Sequence, residues 1–224
     1  MASPVQHDSI CFGNTHVPYS IRRSAERKTI GITVCGPLVE VAAPSGMRAK
    51  AIRPHIEKKG AWILQKLDLA RRHAPVYPAH LQSGASIRFF GRQYQLRIYN
   101  GGVAKPGLEI RARQFILHLP DGATTECAHG LVKKNFRRHL EAQLPQWLEQ
   151  YASILKIGVP PFKVRELGNR WGSCTPSGSM RFHWVLATQD PAFIQQVVAH
   201  ELCHLIEPRH SVEFKKLLAR ILPR

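Results

Sequence analysis

The chain has 224 residues, 44% hydrophobic and 21% charged, the composition of a soluble globular protein rather than of a disordered or fibrous one. No apolar run reaches the roughly 18 residues of a membrane span. The opening MASPVQHDSICFGNTHVPYS lacks the apolar core of a signal peptide, so a cytoplasmic protein with no membrane partner is expected.

The formal net charge is +17, and 18 Lys/Arg against 6 Asp/Glu before residue 121 supply +12 of it. An excess of that size creates a positive field that attracts nucleic acid or another polyanion. Five cysteines, Cys11, Cys35, Cys127, Cys174 and Cys203, are scattered without a C-x-x-C pair, and reduced thiols are expected rather than a disulfide framework or a cysteine metal site.

In chain order, Ile30, Ile32 and Val34 alternate through TIGITV, Gly36-Pro37 supplies a turn and LVEVAA returns, which predicts a β-hairpin. Ile52, Ile56, Ile63, Leu64 and Leu67 then recur at helical spacing as far as Arg72, with Pro54 marking a break or a first turn. SIRFFGRQYQLRIY and LEIRARQFILHL read as two further hairpins, the first turning at Gly91-Arg92, with the loop NGGVAKPG between them. From Thr124 or Thr125 a helix is expected to run to about Leu155, kinked or split at Pro145. RWGSC precedes a Thr-Pro-Ser-Gly turn, and SMRFHWVLAT (179–188) is read as one strand. The fold class is therefore α+β: a basic, β-rich N-terminal part with a helical segment over residues 1–120, then an α+β part over 121–224.

The last long element is VVAHELCHLIEPRH. Asp190-Pro191 is a strong helix start, because an aspartate at the N-cap accepts free backbone N–H bonds and proline fits the first helical position. The helix is expected to continue to Glu207, ahead of Pro208. On it, His204 lies roughly 40° around the axis from His200 and about 6 Å along it, with Glu201 roughly 60° beyond. Two imidazoles so placed converge on one ion. Glu207 is about 10 Å from His200 along the axis, too far to share that ion. His210 approaches instead once Pro208 turns the chain back.

Three protein nitrogens leave the fourth tetrahedral position to water, the pattern of a catalytic zinc site, and Glu201 stands beside it as general base. His200, His204 and His210 are thus the candidate Zn2+ ligands and Glu201 the candidate catalytic residue.

RWGSC, the glycine-bearing turn, SMRFHWVLAT, VVAHELCHL and RHSVEF together resemble the YgjP-like family of predicted zinc metallopeptidases, relatives of the SprT-like and WLM proteases. The similarity extends upstream through RRSAERKTIGITV, VEVAAPSG, GAWILQKL and FFGRQYQLRI. It implies a zincin-like catalytic part, in which the HExxH helix packs on a short sheet, and a peptide or unfolded protein as substrate. It also implies the same three histidine ligands and the same glutamate base. The chain departs from the family at His183 and Arg209, where asparagine is usual, and at Lys215, where an aromatic is usual. Metzincins share the ligand spacing but place glycine where Glu207 stands and add a methionine turn that is absent here, so that assignment is rejected.

Other residues have plainer readings. Cys203 is expected to be a small buried thiol packing the helix. His183 alternates with Phe182 and Trp184 and is read as a core or surface histidine. Trp171 to Cys174 form an anchor and a bend, and KKNFRRH is a solvated basic face. Two rivals to a zinc peptidase stay open: a nucleic-acid-binding module with a structural or inert metal site, and a zinc hydrolase of a non-peptide bond. Arg22, Arg23, Arg27 and Lys28 are the preferred nucleic-acid contacts of the basic N-terminal part. An edge position for the 179–188 strand would let an extended peptide pair beside the metal.

Overall fold

The computed structural model describes residues 5–13, 15–35, 38–72, 77–78, 80–168 and 170–222. Two units are distinguished, Met1–Ala74 and Pro75–Arg224.

In the first unit, β1 (Gln6–Phe12) pairs antiparallel with β2 (Thr15–Ser24), and β3 (Gly31–Cys35) pairs antiparallel with β4 (Leu38–Pro44). The second hairpin is the one expected; its Gly36-Pro37 turn lies outside the described residues. β2 and β4 run parallel, giving the order β1-β2-β4-β3. The first two strands were not foreseen. Pro18, which removes a ladder donor in β2, obscures the alternation of Val17, Tyr19 and Ile21. Those three residues, with Val39 and Val41, are buried in one core with Ile52 and Ile56 of α1 (Ala49–Glu57) and Ile63 and Leu67 of α2 (Gly60–Arg72). The helical segment breaks at Lys58-Lys59, and Pro54 lies inside α1.

The second unit repeats the strand order. β5 (Ser86–Phe89), β6 (Arg92–Asn100), β7 (Gly107–Arg111) and β8 (Gln114–Leu119) form two hairpins joined by a parallel β6–β8 pair, in the order β5-β6-β8-β7. The first hairpin turns at Phe90-Gly91, one residue earlier than expected, and the second at Ala112-Arg113. All four turn residues have positive φ, at 46°, 75°, 47° and 60°, which matches the tight turns that suit the twist of paired strands.

α3 (Thr125–Leu155) follows, with the Thr124 hydroxyl accepting from Cys127 N–H at its N-cap. Pro145 is accommodated within a continuous helix. Val132, Phe136, Leu140, Leu144 and Leu148 are fully buried on it. Phe136 packs at 5.0 Å from Phe89 and 5.7 Å from Phe115, so the helix covers one face of the sheet.

A third sheet consists of β9 (Phe162–Arg165), β10 (Gly172–Cys174) and β11 (Met180–His183), ordered β10-β11-β9. β11 is therefore central, not an edge strand, and it stops at His183. Trp184–Thr188 form a 3-10 helix where the strand was expected to continue. α4 (Pro191–Cys203) and α5 (Val212–Ile221) complete the chain. The described residues form a mixed α+β structure with three small sheets, the helices α1 and α2, the long helix α3 and the C-terminal helices α4 and α5.

Candidate metal centre

α4 begins as its sequence dictates. Asp190 Oδ1 accepts the Phe193 N–H at 2.8 Å, and Pro191 occupies the first turn. Two contacts fix this helix within its unit. The Tyr151 hydroxyl on α3 donates to Gln195 Oε1 at 2.9 Å, and the β5–β6 turn sits so close that a Cβ on Gly91 would lie 2.9 Å from the Asp190 Cα. Phe193, Ile194, Val198, Ala199, Leu202 and Cys203 are buried along it.

The helix ends at Cys203, with His204 as its C-cap, rather than running to Glu207. The early stop is a backbone event: the N–H groups of His204, Leu205 and Ile206 donate to the carbonyls three residues back, of Glu201, Leu202 and Cys203, which tightens the last turn ahead of Pro208. The chain then doubles back. Glu207 Oε1 accepts the Arg209 N–H at 2.9 Å, and Ser211 caps α5 through the Phe214 N–H at 3.2 Å.

This reversal brings the three expected histidines together. His200 Nε2 lies 3.2 Å from His204 Nε2 and 3.0 Å from His210 Nε2, and one nitrogen from each ring falls within 4.8 Å of the others. Among the described residues this is the group of three or more His, Cys, Asp or Glu side chains arranged to hold an ion. His204 Nδ1 lies 3.2 Å from the Glu207 carbonyl, which accepts its N–H and leaves Nε2 as a lone-pair donor. Phe214, 3% exposed, packs its ring 4.9, 4.7 and 4.8 Å from the three imidazoles and holds them as a set.

The donor set fits a tetrahedral cation. Zinc–nitrogen bonds of about 2.0–2.1 Å at tetrahedral angles place ligand nitrogens about 3.3 Å apart. Facing imidazole lone pairs at 3.0 and 3.2 Å repel unless a cation or a proton lies between them.

Glu201 is 9% exposed. Its carboxyl is pushed up to about 7, chiefly by burial, while the Cys174 N–H bond and the positive charge of Arg170 pull the other way. It faces β10: a Cβ added to Gly172 would lie 2.8 Å from Glu201 Cγ and 3.1 Å from its Oε1. Across β10, Thr175 N–H donates to Ser179 O at 2.9 Å and Trp171 O accepts from His183 N–H at 2.8 Å. Odd-numbered positions therefore bond towards β11, and Gly172 and Cys174 turn their backbone polar groups to the outer edge, where Glu201 is. The Gly172 contact and the Phe214 packing are parts of the site that spacing on one helix does not announce.

His183 is buried and is not one of the clustered histidines. Its Nδ1 accepts the Val185 N–H at 3.1 Å and its Nε2–H faces Glu166 Oε1 at 2.9 Å, with burial holding its pKa down. Glu166 also accepts from Lys133 Nζ at 2.6 Å and Trp184 Nε1 at 2.8 Å, so one lysine of KKNFRRH is tied to the third sheet. Cys203 is fully buried and its thiol is raised to about 11 by burial. Cys11, Cys127, Cys174 and Cys203 are free thiols. No described helix is long and apolar enough to cross a membrane.

A family model described as a YgjP-like metallopeptidase domain matches residues 28–224. No curated protein matches the chain, and no solved structure does.

Proposed function

The chain belongs to the YgjP-like metallopeptidase family, and from that membership we propose that it is a zinc-dependent peptidase with a zincin-like catalytic part, in which His200, His204 and His210 hold the metal and Glu201 is the general base. The observation that carries this reading is the convergence of three Nε2 atoms next to a buried glutamate. Neutral imidazole is a good zinc ligand, and a bound zinc supplies Lewis acidity that brings water towards a pKa of about 7.

The protein's own groups do the rest. The Glu201 carboxylate takes a proton from the attacking water and delivers it to the departing amide nitrogen. The Cys174 N–H bond orients that carboxylate, and the absent side chain at Gly172 leaves it room. Because β11 is central, the substrate strand pairs instead along the outer edge of β10, through backbone groups such as those of Gly172. Pairing of this kind needs an extended peptide, so an unfolded protein chain is the substrate class.

Elemental analysis of wild type and His204→Ala, beside an assay on a denatured, fluorescently labelled protein and on its folded form, tests the reading. One zinc per chain is expected in wild type and little in the variant. Glu201→Gln is expected to keep its metal while losing roughly a hundred- to ten-thousandfold in rate, the typical contribution of a positioned acid–base group. Equal zinc in wild type and His204→Ala would refute the ligand set, and equal cleavage of folded and denatured substrate would refute the edge pairing.

A further inference from the structure

The residues that carry the charge excess before residue 121 are not among the clustered His200, His204 and His210. Of Arg22, Arg23, Arg27 and Lys28, the three arginines are engaged locally. Arg23 donates to the Met47 carbonyl and, at 3.3 Å, to Gln6 Oε1; Arg27 donates to the Thr29 carbonyl at 3.3 Å; Arg22 lies 4.0 Å from the Glu40 carboxylate.

The β5-β6-β8-β7 sheet offers a different surface. Its inner residues, such as Ile87, Leu96, Phe115 and Leu117, are fully buried in the core that contains α3. Strand alternation sends Arg88, Arg97, Arg111, Tyr99, His118 and Glu109 to the opposite face. Arg97, Arg111, Tyr99 and Glu109 are exposed there, and Arg88 and His118 are half-buried. The face thus sets three guanidinium groups against one carboxylate.

Register places Tyr99 directly beside His118, and their rings stack with centroids 5.5 Å apart and planes 16° apart. Tyr99 is nevertheless 56% exposed, and the strand position beyond His118 is Gly107, which adds no side chain to crowd the rings. An exposed large aromatic one strand step from Arg97, on a sheet face that also carries Arg88 and Arg111 further along, combines the two features that bind unpaired bases and their phosphates.

We propose that this open face of the β5-β6-β8-β7 sheet is a docking surface for a single-stranded nucleic acid. Bases stack on the Tyr99–His118 platform while Arg88, Arg97 and Arg111 meet the phosphates. Side chains two residues apart on one strand are about 6.6 Å apart, so Arg97 stands one step along β6 from Tyr99 and follows an extended backbone rather than a groove. Duplex is disfavoured because its bases are already stacked and the face presents no element to enter a groove. An acidic peptide would satisfy the arginines but leave the aromatic pair unused.

The proposal does not rest on the peptidase reading. Fluorescence anisotropy of the full chain with a labelled oligothymidylate of about 16 nucleotides tests it, across a salt series. Tyr99→Ala is expected to weaken binding roughly five- to a hundredfold, the range for loss of one stacked base. Arg97→Ala with Arg111→Ala is expected to reduce the slope of log affinity against log salt by about 1.4, at about 0.7 per phosphate contact on a single strand. His204→Ala is expected to bind as wild type does, which separates this surface from the metal centre. All the substituted side chains on the face are exposed, so unchanged thermal melts should accompany the lost binding. No binding at low salt, wild-type affinity in Tyr99→Ala, equal affinity for duplex, or displacement of the oligonucleotide by polyglutamate as readily as by unlabelled strand would each overturn it.

Discussion

At the scale of single residues, the candidate site joins a part that sequence spacing exposes to a part that it hides. His200 and His204 stand one turn apart, and a proline before His210 allows the return, so their convergence is legible from helix spacing and that reversal. Gly172 gives no such signal, because its role is a close approach from another strand. With only 2.8 Å between a prospective Cβ and Glu201 Cγ, an alanine there must displace a carboxylate that is buried and has little room to move. Gly172→Ala is therefore expected to lower peptidase activity by about tenfold or more, equivalent to about 1.4 kcal/mol of transition-state stabilisation. Its zinc content should match wild type, since no ligand is touched. Steady-state kinetics alongside elemental analysis checks this, and loss of metal together with activity would show that the glycine supports the ligands instead.

Elements follow the same division between local and long-range causes. The β3–β4, β5–β6 and β7–β8 hairpins and the long helix are legible because alternation, tight turns and an N-cap threonine are local signals, whereas the β1–β2 hairpin is not. The pairing of one hairpin's inner strand with the next is not, so the parallel β2–β4 and β6–β8 contacts, and the shared order of the two four-stranded sheets, emerge only in the fold. The 3-10 helix after β11 has a tertiary contact as well as its local His183 cap: Phe90 N–H donates to the Ala187 carbonyl at 2.7 Å, seating the β5–β6 turn on the segment that leads into α4. Gly91 is the tightest point of that contact. At φ +75° an alanine is strained, and its Cβ would also meet Asp190 backbone at 2.9 Å. Gly122, at φ +74° with nothing within 4 Å, isolates the strain alone. Gly122→Ala is expected to cost about 1 kcal/mol and Gly91→Ala about 2–3 kcal/mol. Thermal melts should show a drop of roughly 5–10 °C for Gly91→Ala and about half of that or less for Gly122→Ala. Equal drops would mean that the turn does not bear on Asp190.

At the scale of the whole molecule, the question that separates a catalytic from a structural metal is which part of the chain needs the ion in order to fold. A structural site replaces a core; here the ligands sit beside one. The unit from Pro75 to Arg224 buries Phe136, Leu140, Leu144, Leu148, Val198 and Leu202 completely, and α4 is anchored by its own N-cap and by Tyr151, none of which involves a histidine ligand. α5 is likewise held to α3, with the Arg220 guanidinium donating to the Ile154 carbonyl at 2.8 Å. Removing the ion should therefore cost only its binding free energy. At a free concentration about a thousandfold above the dissociation constant, that is about 4 kcal/mol, or on the order of 10 °C in melting temperature for a unit of this size. Chelation at ambient temperature is expected to leave the far-ultraviolet circular dichroism spectrum unchanged, to lower the melting temperature by that amount and to abolish peptide hydrolysis, with zinc restoring both. A chain that unfolds when the metal is stripped would behave as small metal-dependent domains do, and would give His200, His204 and His210 a structural role in place of the proposed catalytic one.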